Sequence, residues 1–206
     1  TGNQVAVSSS GQVAAVAMKD RTIVLLNSLT GKHIKTLKGH TEEVSCVAFS
    51  PDGETLFSGG QDSSIRVWSV SSGELVRATI GHSGNVSGVV PISNGQQLVS
   101  VSADGTARVW DWSRGRPLRT FSQFTSELQS VALAPDGQRV LIGAKDGMAY
   151  LLHLPSGKIL PTFKGHRGRV YATAISPDGK VFATAGWHGT IRLWDGVNQR
   201  PLQLLR

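Results

Sequence analysis

Apolar residues in this chain fall in short runs, and Gly, Pro, Asp and Ser break those runs at roughly 8–12-residue spacing. No stretch carries the three-to-four spacing of an amphipathic helix, so the pattern predicts strands and tight turns. Residues 39–80 show it most cleanly. Residues 44–49 and 55–58 flank Ser50-Pro51-Asp52-Gly53, where Pro presets φ and Gly accepts the positive φ that closes a turn. Residues 65–69 follow a turn at Asp62, and residues 74–80 follow Ser71-Ser72-Gly73, which makes four strands. The longest uninterrupted apolar run, from Val13 to Met18, is six residues, too short to cross a membrane as a helix.

The four-strand unit recurs. Leu26, Trp68, Trp110, Leu152 and Trp194 stand 42 residues apart, as do Asp20, Asp62, Asp104, Asp146 and His188. Gly11, Gly53, Gly95, Gly137 and Gly179 keep that register, and so do Gly31, Gly73, Gly115, Gly157 and Gln199. Gly39-His40, Gly81-His82 and Gly165-His166 share it, with Gln123-Phe124 in the fourth place. So many series in one register divide the chain into five copies: residues 1–38, 39–80, 81–122, 123–164 and 165–206. A four-stranded sheet alone leaves both faces and an edge bare. Stacking such sheets radially buries the faces, which predicts an all-β array of β-propeller blades.

Gly-His, followed by an Asp six residues before Trp-Asp, resembles the repeat of the WD-repeat β-propeller family, as do Phe49-Ser50-Pro51-Asp52-Gly53 and Ile191-Arg192-Leu193-Trp194-Asp195. The resemblance covers essentially the whole chain. It implies five four-stranded antiparallel blades belonging to a larger propeller of about seven, with a closed five-bladed ring as the alternative. The chain, which begins at Thr1, then reads as processed or excised from something longer, and bare blade faces at its ends would invite self-association.

Hydrophobic residues make up 39% of the 206 and charged residues 17%, which excludes a disordered chain. Cys46 is the single cysteine, so there is no internal disulfide framework or Cys-rich zinc site; its place in an apolar run reads as a small buried hydrophobe. The net charge of +7 favours an acidic partner, nucleic acid included, but it is spread: residues 1–38 and 165–206 each carry +4 while residues 39–80 carry −4. No run of five Lys or Arg exists, which weighs against nucleic acid. The six histidines show no metal-ligand spacing and no Gly-rich loop opens a helix, so no metal and no cofactor is expected.

His40, Ser58 and Asp62 have the residue types of a hydrolase triad, as do His82, Ser100 and Asp104; the fifth unit offers His166 and Thr184. Catalysis needs one asymmetric site with an exposed nucleophile. These sets instead recur at the repeat period, each with a tryptophan (Trp68, Trp110, Trp194), so we expect no catalytic residue among them. The resemblance implies that they form a hydrogen-bonded chain across the strands. The chemistry allows it, since an indole only donates, a hydroxyl donates and accepts, and a carboxylate accepts. The fourth unit has Phe124, Ile142 and Leu152 in these places and keeps only Asp146. The first has Val16 and Leu26 with Asp20. His188 replaces the aspartate of the fifth unit, which is expected to hold that blade more loosely. Arg66, Arg108 and Arg192, two residues before each Trp, read as sheet-face residues.

The function expected from the resemblance is a non-catalytic protein-interaction scaffold, cytoplasmic and without a membrane role, binding a protein or peptide on the face that carries the Gly-His loops and Asp turns. The fifth unit gathers Arg167, Arg169, Tyr171 and Trp187 beside His188, a composition suited to an acidic peptide. The competing reading makes Trp187 a filler for the missing aspartate and the arginines solvated. Two other functions stay open: a sensory or regulatory segment of a larger enzyme, and polyanion or nucleic-acid binding, which a steep salt dependence would reveal.

Overall fold

A computed structural model describes residues 2–92 and 95–205; Thr1, Ser93, Asn94 and Arg206, which the repeat boundaries include, lie outside the described residues. Each repeat folds into its own four-stranded antiparallel sheet, with strands side by side in chain order. The first holds β1 (Gly2–Val7), β2 (Val13–Met18), β3 (Thr22–Asn27) and β4 (His33–Lys38). β5 (Val44–Phe49), β6 (Thr55–Gly60), β7 (Ser64–Ser69) and β8 (Leu75–Ile80) form the second. In the third are β9 (Val86–Pro91), β10 (Gln97–Ser102), β11 (Ala107–Asp111) and β12 (Arg116–Phe121). The fourth is β13 (Leu128–Leu133), β14 (Arg139–Ala144), β15 (Met148–His153) and β16 (Lys158–Lys164). β17 (Val170–Ile175), β18 (Val181–Gly186), β19 (Thr190–Asp195) and β20 (Pro201–Leu205) complete the fifth. Among the described residues the one helical element is a 3-10 turn at Trp187–Gly189.

The glycine register does the work expected of it. Gly11, Gly53, Gly137 and Gly179 sit at φ of 67–77° and donate to the carbonyls of Ser8, Ser50, Ala134 and Ser176 across 2.8–2.9 Å. β6 runs two residues beyond the segment 55–58 read from the sequence, because Gly59 and Gly60 are strand residues, not turn residues. A Cβ on Gly59 would lie 2.5 Å from Val86 and 2.7 Å from Cys46 Sγ, so only glycine lets the second sheet approach the third this closely.

The chain divides into two compact units, up to Thr120 and from Phe121 onward, and the cores within each lie between neighbouring sheets. Ala15, Ile23 and Leu25 of the first sheet pack with Val44 and Leu56 of the second. Phe57 and Val67 of the second pack with Val86 and Leu98 of the third, and Cys46 lies in that cluster, its thiol pushed up to about 12 by burial. In the other unit Leu141, Leu151 and Phe163 meet Phe182 and Trp194, with Phe163 edge-on to Phe182 at 5.7 Å. Each fully buried phenylalanine stabilises its sheet pair by roughly 1.5–3 kcal/mol relative to exposure.

Candidate functional site

In the second repeat four side chains from four places in the blade connect. His40 comes from the loop after β4, Ser58 from β6, Asp62 from the β6–β7 turn and Trp68 from β7. Trp68 Nε1 lies 2.8 Å from Ser58 Oγ, Ser58 Oγ 2.8 Å from His40 Nε2, and His40 Nδ1 2.9 Å from Asp62. Donor chemistry fixes the direction. The indole can only donate, so the Ser58 hydroxyl spends its single hydrogen on His40 Nε2, and Nδ1–H donates to the carboxylate. Burial lowers the His40 pKa further than Asp62 raises it, which keeps the ring in the neutral form this arrangement needs. Burial also works to raise Asp62, but the Ser64 hydroxyl, the Thr41 N–H and His40 outweigh it and hold the carboxyl below its ordinary range. Ser58 exposes none of its surface, so its hydroxyl cannot meet a substrate in the folded state.

The third repeat repeats the geometry. Trp110 Nε1 donates to Ser100 Oγ at 2.7 Å, Ser100 lies 2.7 Å from His82 Nε2, and His82 Nδ1 is 2.9 Å from Asp104, whose carboxyl is held down at about 2. The fourth repeat replaces the polar chain with Phe124, Ile142 and Leu152, all buried. Its Asp146 accepts instead from Tyr150 Oη at 2.7 Å and from the Met148 N–H at 2.9 Å. In the first repeat Val16 and Leu26 are half-buried, and Asp20 caps its own turn by accepting from the Thr22 N–H at 3.1 Å.

The fifth repeat keeps the inner half of the chain and changes the outer half. Trp194 donates to Thr184 Oγ1 at 2.9 Å, and Thr184 lies 2.8 Å from His166 Nε2. His166 Nδ1 then reaches Thr190 Oγ1 at 3.2 Å, not a carboxylate. His188, in the aspartate's place, is exposed on the 3-10 turn with φ of 70°. Around it opens a cavity of about 430 Å³, lined by Arg167, Trp187, His188, Thr190, Arg192 and Leu204 among others. Tyr171 and Trp187 stand beside each other with ring centroids 5.9 Å apart and about half their surfaces exposed. Arg169 does not line the cavity; it is half-buried, and its carbonyl accepts from the Trp187 N–H at 2.8 Å.

Residues 31–69, 73–111, 115–151 and 157–195 match the family described as WD domain, G-beta repeat, about three quarters of the chain. The chain belongs to this WD-repeat family. The first WD match begins with β4 and ends with β7, so a sequence repeat takes the last strand of one blade and the first three of the next. The chain is similar over 53 residues, at 47% identity, to an uncharacterized WD repeat-containing protein of Synechocystis sp.. It is 43% identical over 51 residues to nuclear distribution protein PAC1 of Mycosarcoma maydis. These stretches take in 26% and 25% of this chain and only 15% and 11% of the relatives' lengths. WD repeats in general mediate protein–protein interaction, and the family is typically a non-catalytic scaffold. Among the described residues no helix is long and apolar enough to cross a membrane, and no group of three His, Cys, Asp or Glu could hold a metal ion.

Two WD-blade residues escaped the sequence reading. Tyr150, which the sequence reading does not single out, stands at the position of Arg66 and Arg108. Arg192, read as a sheet-face residue, lines the fifth-blade cavity. Its signal is a combination of positions: it is the arginine of the series whose blade lacks the aspartate four residues earlier.

Proposed function

We propose that this chain is a non-catalytic protein-interaction module that binds an acidic or carboxylate-bearing peptide through Arg167, Arg169, Tyr171, Trp187 and His188 of the fifth blade. The observation that carries the reading is the exposed Tyr171–Trp187 pair standing beside a cavity walled by guanidinium groups. Large aromatic surfaces supply contact area at little conformational cost, and guanidinium groups select carboxylates by two-point hydrogen bonding. The buried sets His40–Ser58–Asp62–Trp68, His82–Ser100–Asp104–Trp110 and His166–Thr184–Trp194 hold their blades together and do no chemistry, a role that the complete burial of Ser58, Ser100 and Thr184 supports.

The test is selection from a random peptide display library against the wild-type chain and against the double variant Arg169→Ala, Trp187→Ala. Acidic peptides should be enriched on the wild type and lost on the variant, with unfolding free energy within about 1 kcal/mol of wild type. Equal enrichment on both, with the fold intact, moves the binding surface away from the fifth blade.

A further inference from the structure

We infer that the fifth blade takes a ligand carboxylate in the place that Asp62 and Asp104 occupy in the second and third blades. The inference rests on the peptide-binding reading of this face and names the group that is held.

The donors around that place recur in register. Asp62 accepts from His40 Nδ1 at 2.9 Å, the Thr41 N–H at 3.0 Å and Ser64 Oγ at 2.7 Å, with Arg66 at 3.8 Å. Asp104 accepts from His82 Nδ1 at 2.9 Å, the Ser83 N–H at 3.0 Å and Thr106 Oγ1 at 2.7 Å. The fifth blade carries the same series as His166, Arg167, Thr190 and Arg192. Their common acceptor is missing, because position 188 is histidine, exposed on the 3-10 turn.

The consequence is clearest on the hydroxyl donor. The Thr190 oxygen accepts from His166 Nδ1 at 3.2 Å, and as a donor its hydroxyl reaches the Trp187 carbonyl only at 3.5 Å, where Ser64 and Thr106 donate to carboxylates at 2.7 Å. Among the described residues no carboxylate lies within 4.0 Å of Arg192, where Asp62 lies 3.8 Å from Arg66; the Arg192 Nε is buried without a hydrogen-bond partner, as is that of Arg66, so the blade carries a buried guanidinium with no carboxylate facing it. Arg192 packs against Gly165, where a Cβ would come within 3.0 Å of the guanidinium, so the glycine keeps that cation close to the donor cluster. Burial lowers the pKa of His166, and the unneutralised Arg192 charge lowers it further. Arg167, Thr190 and Arg192 of this series line a cavity with room for one carboxylate and the residue that bears it, and His166 Nδ1 joins them through Thr190 Oγ1 at 3.2 Å. Trp187 and Tyr171 lie beside that cavity as flat surfaces for the rest of a peptide.

The experiment is calorimetric unfolding of the intact chain in sodium acetate against sodium chloride at equal ionic strength. Wild type should show a saturable rise in Tm, about 3–6 °C at tenfold saturation. Arg192→Gln should lose it. His188→Asp restores the Asp-Gly pair of the third and fourth blades, Asp104-Gly105 and Asp146-Gly147. It should unfold at higher temperature than wild type in chloride and no longer respond to acetate. No acetate effect on wild type, or an equal effect on wild type and His188→Asp, overturns the inference. Two hexapeptides distinguish the source of the carboxylate: one amidated with a single internal Glu, one with a free C-terminus and no acidic side chain. Whichever raises the Tm of wild type and not of His188→Asp names the source, and failure of both limits the site to small acids. Equal peptide selection on wild type and on Arg169→Ala, Trp187→Ala, with the acetate response intact, removes the peptide-binding reading alone; loss of selection in that variant with no acetate effect on wild type removes the carboxylate place alone.

Discussion

Tyr150 donates its phenolic hydrogen to Asp146 across 2.7 Å, from the position where the second and third blades carry Arg66 and Arg108. The exchange fits its neighbours. Phe124 replaces the blade's histidine and meets Tyr150 edge-on at 5.3 Å, so an aromatic ring fills space against an apolar plug while its hydroxyl still serves the aspartate. Tyr150→Phe should therefore destabilise the chain by about 1 kcal/mol in urea titration, the net worth of one hydrogen bond. An unchanged midpoint would show that the plug alone holds this blade.

Ser58→Ala strikes the centre of a chain, where one oxygen accepts from Trp68 and its hydrogen goes to His40. Two buried groups lose their partner at once, so the loss should be about 2–4 kcal/mol, against about 1–3 kcal/mol for Asp62→Ala. A Ser58→Ala chain of normal stability that had lost an ester-cleaving activity would sink the scaffold reading.

Acid should weaken the fold in two stages. Burial holds the folded pKa of His40 and His82 below 6.5, so the unfolded chain takes up protons first as pH falls past that value. Asp104 sits at about 2 because hydrogen bonds from Thr106, the Ser83 N–H and His82 outweigh its burial. Its contribution is complete above pH 3.8 and drains away as pH falls through 2. The urea midpoint should thus drop from pH 7 to 5 and again below pH 4; a midpoint that climbs on acidification contradicts both stages.

Cys46 should be silent toward a thiol reagent at pH 8 until the chain unfolds, since its side chain is buried and burial raises its pKa to about 12. Fast stoichiometric labelling of the native chain would mean that the second and third sheets part readily.

The sequence reading reached furthest where one residue type has one job. Glycine at a positive φ marks a turn wherever it recurs, so the hairpins are legible in the sequence. Gly59 misled for the same reason: its task is close approach to Val86, and nothing in a single strand announces a neighbour. Tyr150 and Arg192 were illegible one at a time. A tyrosine among apolar residues reads as core, and an arginine on a strand reads as surface. Each acquires its meaning from position 146 or 188, four residues back, and from what the other copies carry there.

The polar chain of the second blade and the apolar plug of the fourth are alternative complete sets, and mixtures of the two are penalised. Leucine for Trp68 alone would deprive Ser58 of its donor, while histidine for Phe124 alone would press a ring nitrogen against Ile142 with no hydroxyl to meet it. Duplicated copies of such a unit therefore exchange its histidine, hydroxyl and tryptophan positions together, whereas the outer aspartate can change alone, as at His188 of the fifth blade. Grafting between blades, in the laboratory as in descent, should succeed for a block of interior positions exchanged together and fail for any one of them moved singly.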